Sequence, residues 1–302
     1  MKVLVTGGRG FAGTHLVRHL VGCGDDVVVT DRATGGPDLL DADAWTALVA
    51  DVRPEAVYHL AAQPSVAASW ADPALTLRIN AEGTLHVLLA CRDAGVRRVL
   101  VVSTSDVYGG APGSEQPLRE DAPLRPVTPY AASKAAAEQL ALQAWLGWGL
   151  EVVRVRPFNH IGPGQDDRFV AGALAARVAA AEAGDGDGTV PVGNLSARRD
   201  FTDVRDVVRA YRAVLDAGEP GEVYHVCSGR AVAIAELAEA LAGLAHRPVR
   251  LVPDPALLRP VDTPLLVGDA SKLTAATGWA PTIALSDTLR DLLADHRVRR
   301  GR

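Results

Sequence analysis

Apolar and polar positions alternate along the first half of the chain in short blocks. Lys2-Val-Leu-Val-Thr6 is an apolar run that stops at glycine, the pattern of a buried strand. Residues 11–21 place Phe11, Leu16, Val17, Leu20 and Val21 at helical spacing, and Gly22 and Gly24 end the segment. The same reading predicts strands over 26–30, 56–60, 98–102 and 150–155, and helices over 45–52, 80–94 and 133–146. Strands that are apolar throughout, each separated by a helix, predict a parallel sheet covered on both faces. Right-handed crossovers then give a doubly wound α/β fold whose ligands sit beyond the carboxyl ends of the strands.

Candidate chemistry falls at those ends. After the first strand comes Thr6-Gly7-Gly8-Arg9-Gly10-Phe11-Ala12-Gly13, with glycines spaced GxxGxxG. Gly7 permits the tight turn, Gly10 lets the backbone approach a pyrophosphate, and Gly13 lets helix and strand pack closely. The helix start offers free N–H groups to phosphates. Asp31, at the end of the second strand, is placed to accept hydrogen bonds from an adenosine ribose. Together these predict a dinucleotide site. Asp31 favours NAD, whereas the cations Arg9 and Arg32 favour NADP, and the sequence supports both.

The fourth strand runs into Ser103-Thr104-Ser105-Asp106-Val107-Tyr108-Gly109, and Tyr130-Ala-Ala-Ser133-Lys134 opens a later helix. One helical turn sets Tyr130 and Lys134 on one face. A neighbouring ammonium would lower the tyrosine pKa and let it exchange a proton at neutral pH. Thr104 or Ser105 could hold the reacting oxygen. Asp106 reads as an acid–base group or as a loop cap. His160 reads as a hydrogen-bonding or packing residue. His15/His19 and Asp38/Asp41/Asp43 lack the ligand set of a metal site, and no metal is expected.

Composition narrows the class. The 302 residues make two domains the expectation, and 48% hydrophobic with 22% charged residues is ordinary for a soluble protein. A net charge of −5 without a basic tail argues against nucleic-acid binding. The opening apolar run is shorter than the ~7–15 residues of a signal-peptide core, and no stretch approaches the ~20 residues of a membrane span. Cys23, Cys91 and Cys227 are odd in number and far apart, which suggests reduced thiols and a cytoplasmic protein.

The glycine turn, His59-Leu-Ala-Ala-Gln63, Ser-Thr-Ser-Asp-Val-Tyr-Gly and YxxxK together resemble the extended short-chain dehydrogenase/reductase family, over essentially the whole chain. The resemblance implies a Rossmann-type NAD(P)-binding domain and a smaller, discontinuous α/β domain for a nucleotide-linked sugar. It implies coenzyme contacts from Gly7, Gly10, Phe11, Ala12, Gly13, Asp31, Arg32, Asp38, Leu39, Leu60, Ala61, Ala62, Tyr130, Lys134 and Pro157. Tyr130, Lys134, Thr104, Ser105 and Asp106 are the implied catalytic group.

In the second half, three segments resemble the substrate loops of GDP-sugar members. They are 156–165, 192–206 and 258–272. The likeness is nearest to the reductases of GDP-4-keto-6-deoxyhexoses, with the 4,6-dehydratases next. Where dehydratases typically carry glutamate this chain has Asp106, one methylene shorter. Substrate contacts are implied for Ser65, Thr104, Asn159, Arg199, Arg259 and Asp262. Each arginine offers a fork for a sugar diphosphate from a loop-like segment.

The reading therefore expects a GDP-linked 4-keto-6-deoxy sugar reduced with NADP(H) or NAD(H). A dehydratase or 4-epimerase retaining NAD(P) is the alternative. A non-enzymatic NAD(P)-binding regulator is argued against by the intact Tyr130/Lys134 pair. Domain boundaries are expected at 1–158 plus 200–226 and 159–199 plus 227–302. Residues 297–302 are expected to fray, and helices over 75–90 and 133–145 could pair in a homodimer.

Overall fold

A computed structural model describes residues 1–184, 187–257 and 263–301. Strand and helix alternate as β1 (Lys2–Thr6), α1 (Phe11–Gly22), β2 (Asp26–Thr30), α2 (Ala42–Val52), β3 (Ala56–His59), α3 (Val66–Ala71), α4 (Pro73–Leu77), α5 (Gly83–Asp93), β4 (Arg98–Val102), α6 (Pro129–Trp148) and β5 (Glu151–Pro157). The second half runs β6 (Asn159–Ile161), α7 (Val170–Glu182), β7 (Thr189–Val192), β8 (Arg198–Asp203), α8 (Val204–Ala217), β9 (Val223–Val226), β10 (Ala231–Ala233), α9 (Ile234–Gly243), β11 (Arg250–Pro253), β12 (Leu265–Leu266), α10 (Ser271–Thr277) and α11 (Leu285–Arg300).

Six parallel strands form the main sheet in the order β2-β1-β3-β4-β5-β9. Val3, Val5, Tyr58 and Leu100 pack toward α1 and α8 on one face, while Leu4, Val57 and Val99 pack toward α2, α5 and α6 on the other. Burial on both faces is why these strands read as unbroken apolar runs. The strand order reverses between β1 and β3, and that switch point places the glycine turn beside the end of β3.

Helix boundaries differ from the sequence expectation where caps decide them. α2 begins at Ala42 because the Asp41 carboxylate accepts from Ala44 N at 3.0 Å. Asp41 is thus a helix cap. α6 begins at Pro129 because Thr128 caps Ala131 N, which puts Tyr130 in its first turn. The helix expected over 80–94 is instead α4, one π turn at Arg78–Glu82, and α5.

A smaller unit carries the sheet β10-β8-β12, with β6 parallel to β8, and the pair β11–β7. Its core is formed by α7, α9 and α11 through Leu174, Val178, Leu237, Leu241, Leu289 and Leu292. The boundary expected at 200 falls inside β8 of this small sheet, whereas α8 and β9 return to the main one. Residues 297–300 are not frayed. They finish α11, and Arg297 grips Glu182 at 2.5 and 2.8 Å and the Leu244 carbonyl at 2.9 Å. Among the described residues no helix is long and apolar enough to cross a membrane.

Candidate active site

The glycine turn packs to the limit of backbone contact. Gly7 has φ +67°, and a Cβ there would lie 2.8 Å from Ala61 N. A Cβ on Gly13 would lie 2.2 Å from Gly7 O, and one on Gly10 would lie 3.2 Å from the same oxygen. The third glycine is therefore demanded by the close approach of α1 to the turn. Gly10 caps α1 without a side-chain hydrogen bond, so the first-turn N–H groups of Phe11, Ala12 and Gly13 remain for a phosphate. A cradle that added side-chain atoms would fill fits a dinucleotide pyrophosphate.

Asp31 follows β2 directly and accepts from Arg9 N at 3.1 Å and Ala33 N at 3.0 Å. Arg32, 78% exposed, faces Asp38 at 3.5 Å. A surface pair of this kind is worth at most about 1 kcal/mol, which leaves Arg32 available to a ligand. Leu39 is buried beneath this rim, and Leu60, Ala61 and Ala62 follow β3 on the opposite wall. His160 stacks on Phe11 with ring centroids 5.7 Å apart, and His15 bonds the Pro163 carbonyl at 2.7 Å. His160 thus ties the start of α1 to β6, and His15 ties α1 to the loop after β6. Pro157 ends β5, and Asn159 opens β6 beside it.

Over β4, Thr104 accepts from Asp106 N at 3.2 Å, which caps the turn that buries Ser105. Burial pushes the Tyr130 phenol pKa well up, and the Asp106 carboxylate pushes it further. The Thr104 hydroxyl beside the Tyr130 phenol favours its charged form. Lys134 donates to the Val102 carbonyl at 2.5 Å, and burial pushes its pKa down to about 8 against the pull of Glu138. The expected lowering of the tyrosine pKa by the lysine is therefore absent. Lys134 is bonded to the strand, and the group that acts on the phenol is Asp106.

Asn80 is the residue periodicity missed. It lies buried in the π turn, takes Gln63 N on its oxygen at 2.7 Å and donates to Ser133 Oγ at 2.8 Å. Ser133 in turn donates to the Tyr130 carbonyl at 2.7 Å. A π turn widens the helix by one residue and often marks a functional position. It leaves no mark in a pattern of apolar spacing.

The substrate side is partly assembled. Ser65 caps α3 through Ala68 N at 3.1 Å, beside Gln63. Arg199 lies in strand β8 and not in a loop. Its guanidinium donates to the Thr263 carbonyl at 2.5 Å. Arg259 and Asp262 lie outside the described residues. Among the described residues no group of three or more His, Cys, Asp or Glu side chains is placed to hold a metal.

Residues 3–227 match the model of the NAD dependent epimerase/dehydratase family. The chain belongs to this family. It is 40% identical to GDP-6-deoxy-D-mannose reductase of Pseudomonas aeruginosa across 99% of this chain and 98% of that one. The solved structure of RMD from Pseudomonas aeruginosa complexed with NADPH superposes with a TM-score of 0.90 at 38% identity, covering 99% of this chain and 100% of that chain. UDP-glucose 4-epimerase of Thermus thermophilus, in complex with NAD, superposes with a TM-score of 0.88 at 33% identity, covering 98% and 99%. Relatives with these names include a reductase, an epimerase and a dehydratase, so the family fixes the coenzyme type but not the reaction.

Proposed function

We propose that the chain is a nucleotide-sugar 4-ketoreductase that reduces the 4-keto group of a GDP-4-keto-6-deoxyhexose with NAD(P)H, giving GDP-D-rhamnose from the manno sugar. The observation that carries this reading is the match to GDP-6-deoxy-D-mannose reductase over the length of both chains. The site agrees with it. A ketone reduction needs a proton donor, and Tyr130 is held as a neutral phenol by burial and by Asp106.

A reduced nicotinamide coenzyme, held at the turn of Gly7, Gly10 and Gly13, would supply hydride to carbon 4. Tyr130 gives its proton to the developing alkoxide, and the Thr104 hydroxyl holds that oxygen. Lys134, one helical turn from Tyr130, would bind the nicotinamide ribose of the coenzyme. Substrate contacts on this reading would come from Arg199 to the diphosphate and from Ser65 and Asn159 to the sugar; Arg259 and Asp262, outside the described residues, are carried by the resemblance alone.

The protein works as a homodimer in the cytoplasm. Trp70, Leu75 and Leu77 on α3 and α4 and Leu146 on α6 are exposed by 54, 42, 48 and 73%, an apolar face that a second copy would cover. The three cysteines are unbonded, as a reducing compartment leaves them.

The test follows reduced nicotinamide absorbance with GDP-4-keto-6-deoxy-mannose and added NADPH or NADH, with the product identified by NMR. Stoichiometric oxidation is expected. Conversion of GDP-mannose by protein carrying its own NAD(P) would overturn the reductase in favour of the dehydratase.

A further inference from the structure

Thr6, His59 and Thr84 lie on β1, β3 and α5, and their side chains form one buried line. Ala61 N donates to Thr6 Oγ1 at 3.1 Å. Thr6 Oγ1 lies 2.8 Å from His59 Nδ1, and His59 Nε2 lies 3.1 Å from Thr84 Oγ1. The Thr84 hydroxyl donates to the Asn80 carbonyl at 2.6 Å. That last bond fixes every proton. Thr84 has spent its hydrogen, so it can only accept, and His59 must carry its proton on Nε2. His59 Nδ1 is then the acceptor for the Thr6 hydroxyl, and Thr6 accepts from Ala61. Only a neutral imidazole satisfies both ends.

At Asn80 the line changes from backbone to side chain and continues through Ser133 Oγ to the Tyr130 carbonyl. At the other end Thr6 precedes the glycine turn, and Ala61 N is the atom that a Cβ on Gly7 would strike. The two ends are the coenzyme cradle and the first turn of the catalytic helix.

We propose that His59 is a positioning residue whose neutral imidazole joins the coenzyme turn to α6, so that Tyr130 is held in register with the coenzyme. This rests on the reading of the site as a dehydrogenase centre. His59 touches neither coenzyme nor substrate and acts through Asn80 and Ser133. Burial, helped by Lys134, pushes its pKa down to about 3, which keeps the imidazole neutral at all working pH values. Each member of the line has no freedom to rotate without orphaning a buried partner, so cutting one link loosens both ends.

The test compares Thr84→Val, which keeps the shape and removes the hydroxyl, with Thr84→Ser, which keeps the hydroxyl. His59→Phe serves as a third variant. On folded protein, Thr84→Val is expected to lower kcat at least fivefold while the KM for NADPH stays within twofold, and Thr84→Ser restores kcat. Amide hydrogen exchange without substrate is expected to speed up at both 6–10 and 130–134 in Thr84→Val but not in Thr84→Ser.

Unchanged kcat in Thr84→Val, or exchange altered only within α5, overturns the proposal. A wild type that does not turn over the keto sugar, with exchange altered at both ends in Thr84→Val, would refute the reductase reading and leave the positioning role standing. If His59→Phe does not fold, the Thr84 pair decides the matter alone.

Discussion

Two glycines on one helix offer a sharp test of the cradle. Gly13 and Gly22 both lie in α1, and neither has a positive φ. Alanine at either removes unfolded-chain freedom and favours the helix by up to about 1 kcal/mol. At Gly22 a Cβ would meet nothing within 4 Å, so Gly22→Ala should be neutral or stabilising. At Gly13 the Cβ would lie 2.2 Å from Gly7 O and 2.7 Å from Gly8 Cα. Backbone must move to admit it, and overpacking of that kind costs about 1–3 kcal/mol. With the full helix gain set against it, the net loss is about 0–2 kcal/mol, a fall in Tm of up to a few degrees for a chain of this size. The movement displaces the turn that would hold the pyrophosphate. The Kd for NADPH should therefore rise at least tenfold, worth about 1.4 kcal/mol. Thermal unfolding and fluorescence titration of NADPH measure both quantities. Gly13→Ala binding NADPH as well as Gly22→Ala, at equal Tm, would refute the steric argument and the assignment of the cradle together.

Tyr130→Phe keeps the ring and removes the acid, so kcat should fall by about 10²–10⁴ with NADPH binding intact, in stopped-flow and titration experiments. Lys134 is buried with its pKa at about 8 against 10.5, so its charging opposes folding fully below pH 8, and this cost fades as pH rises toward 10.5. Lys134→Met should accordingly stabilise the unliganded protein at pH 7, by as much as about 3 kcal/mol, while abolishing turnover; denaturant melts at pH 7 and 10 measure the difference. Glu138 is fully buried between Arg154 at 3.4 Å and Arg156 at 2.5 Å, and Glu138→Gln should cost about 3–5 kcal/mol, seen as a lower denaturation midpoint. Arg297 holds the Glu182 carboxyl down at about 2, so this pair stabilises the fold above pH 4.5 and its contribution is lost as pH falls from there toward 2. Arg297→Ala should lower Tm at pH 7 and flatten the dependence of Tm on pH in that window.

The alternation of β1 to β5 with their helices was legible in the sequence because strands buried on both faces carry no polar positions to blur them. The glycine spacing was legible for a related reason, since each glycine answers a local need at Gly7, Gly10 or Gly13. YxxxK was legible because both residues share one helical turn. Where an element begins depended on single caps, and Asp41 and Thr128 moved α2 and α6 by three and four residues from the expected starts.

Other features arise between segments far apart in the chain, and only the tertiary structure decided them. The π turn that buries Asn80 answers to Gln63 and Ser133, which lie 17 and 53 residues away. The charge that acts on Tyr130 comes from Asp106, because Lys134 is drawn to the Val102 carbonyl instead. The arginine-rich end, which reads as a tail, is docked by Glu182 from 115 residues earlier. Local spacing determines which groups a strand end or helix turn presents. The strength of a charge or a hydrogen bond depends on burial and on the partner opposite, and both are properties of the assembled fold.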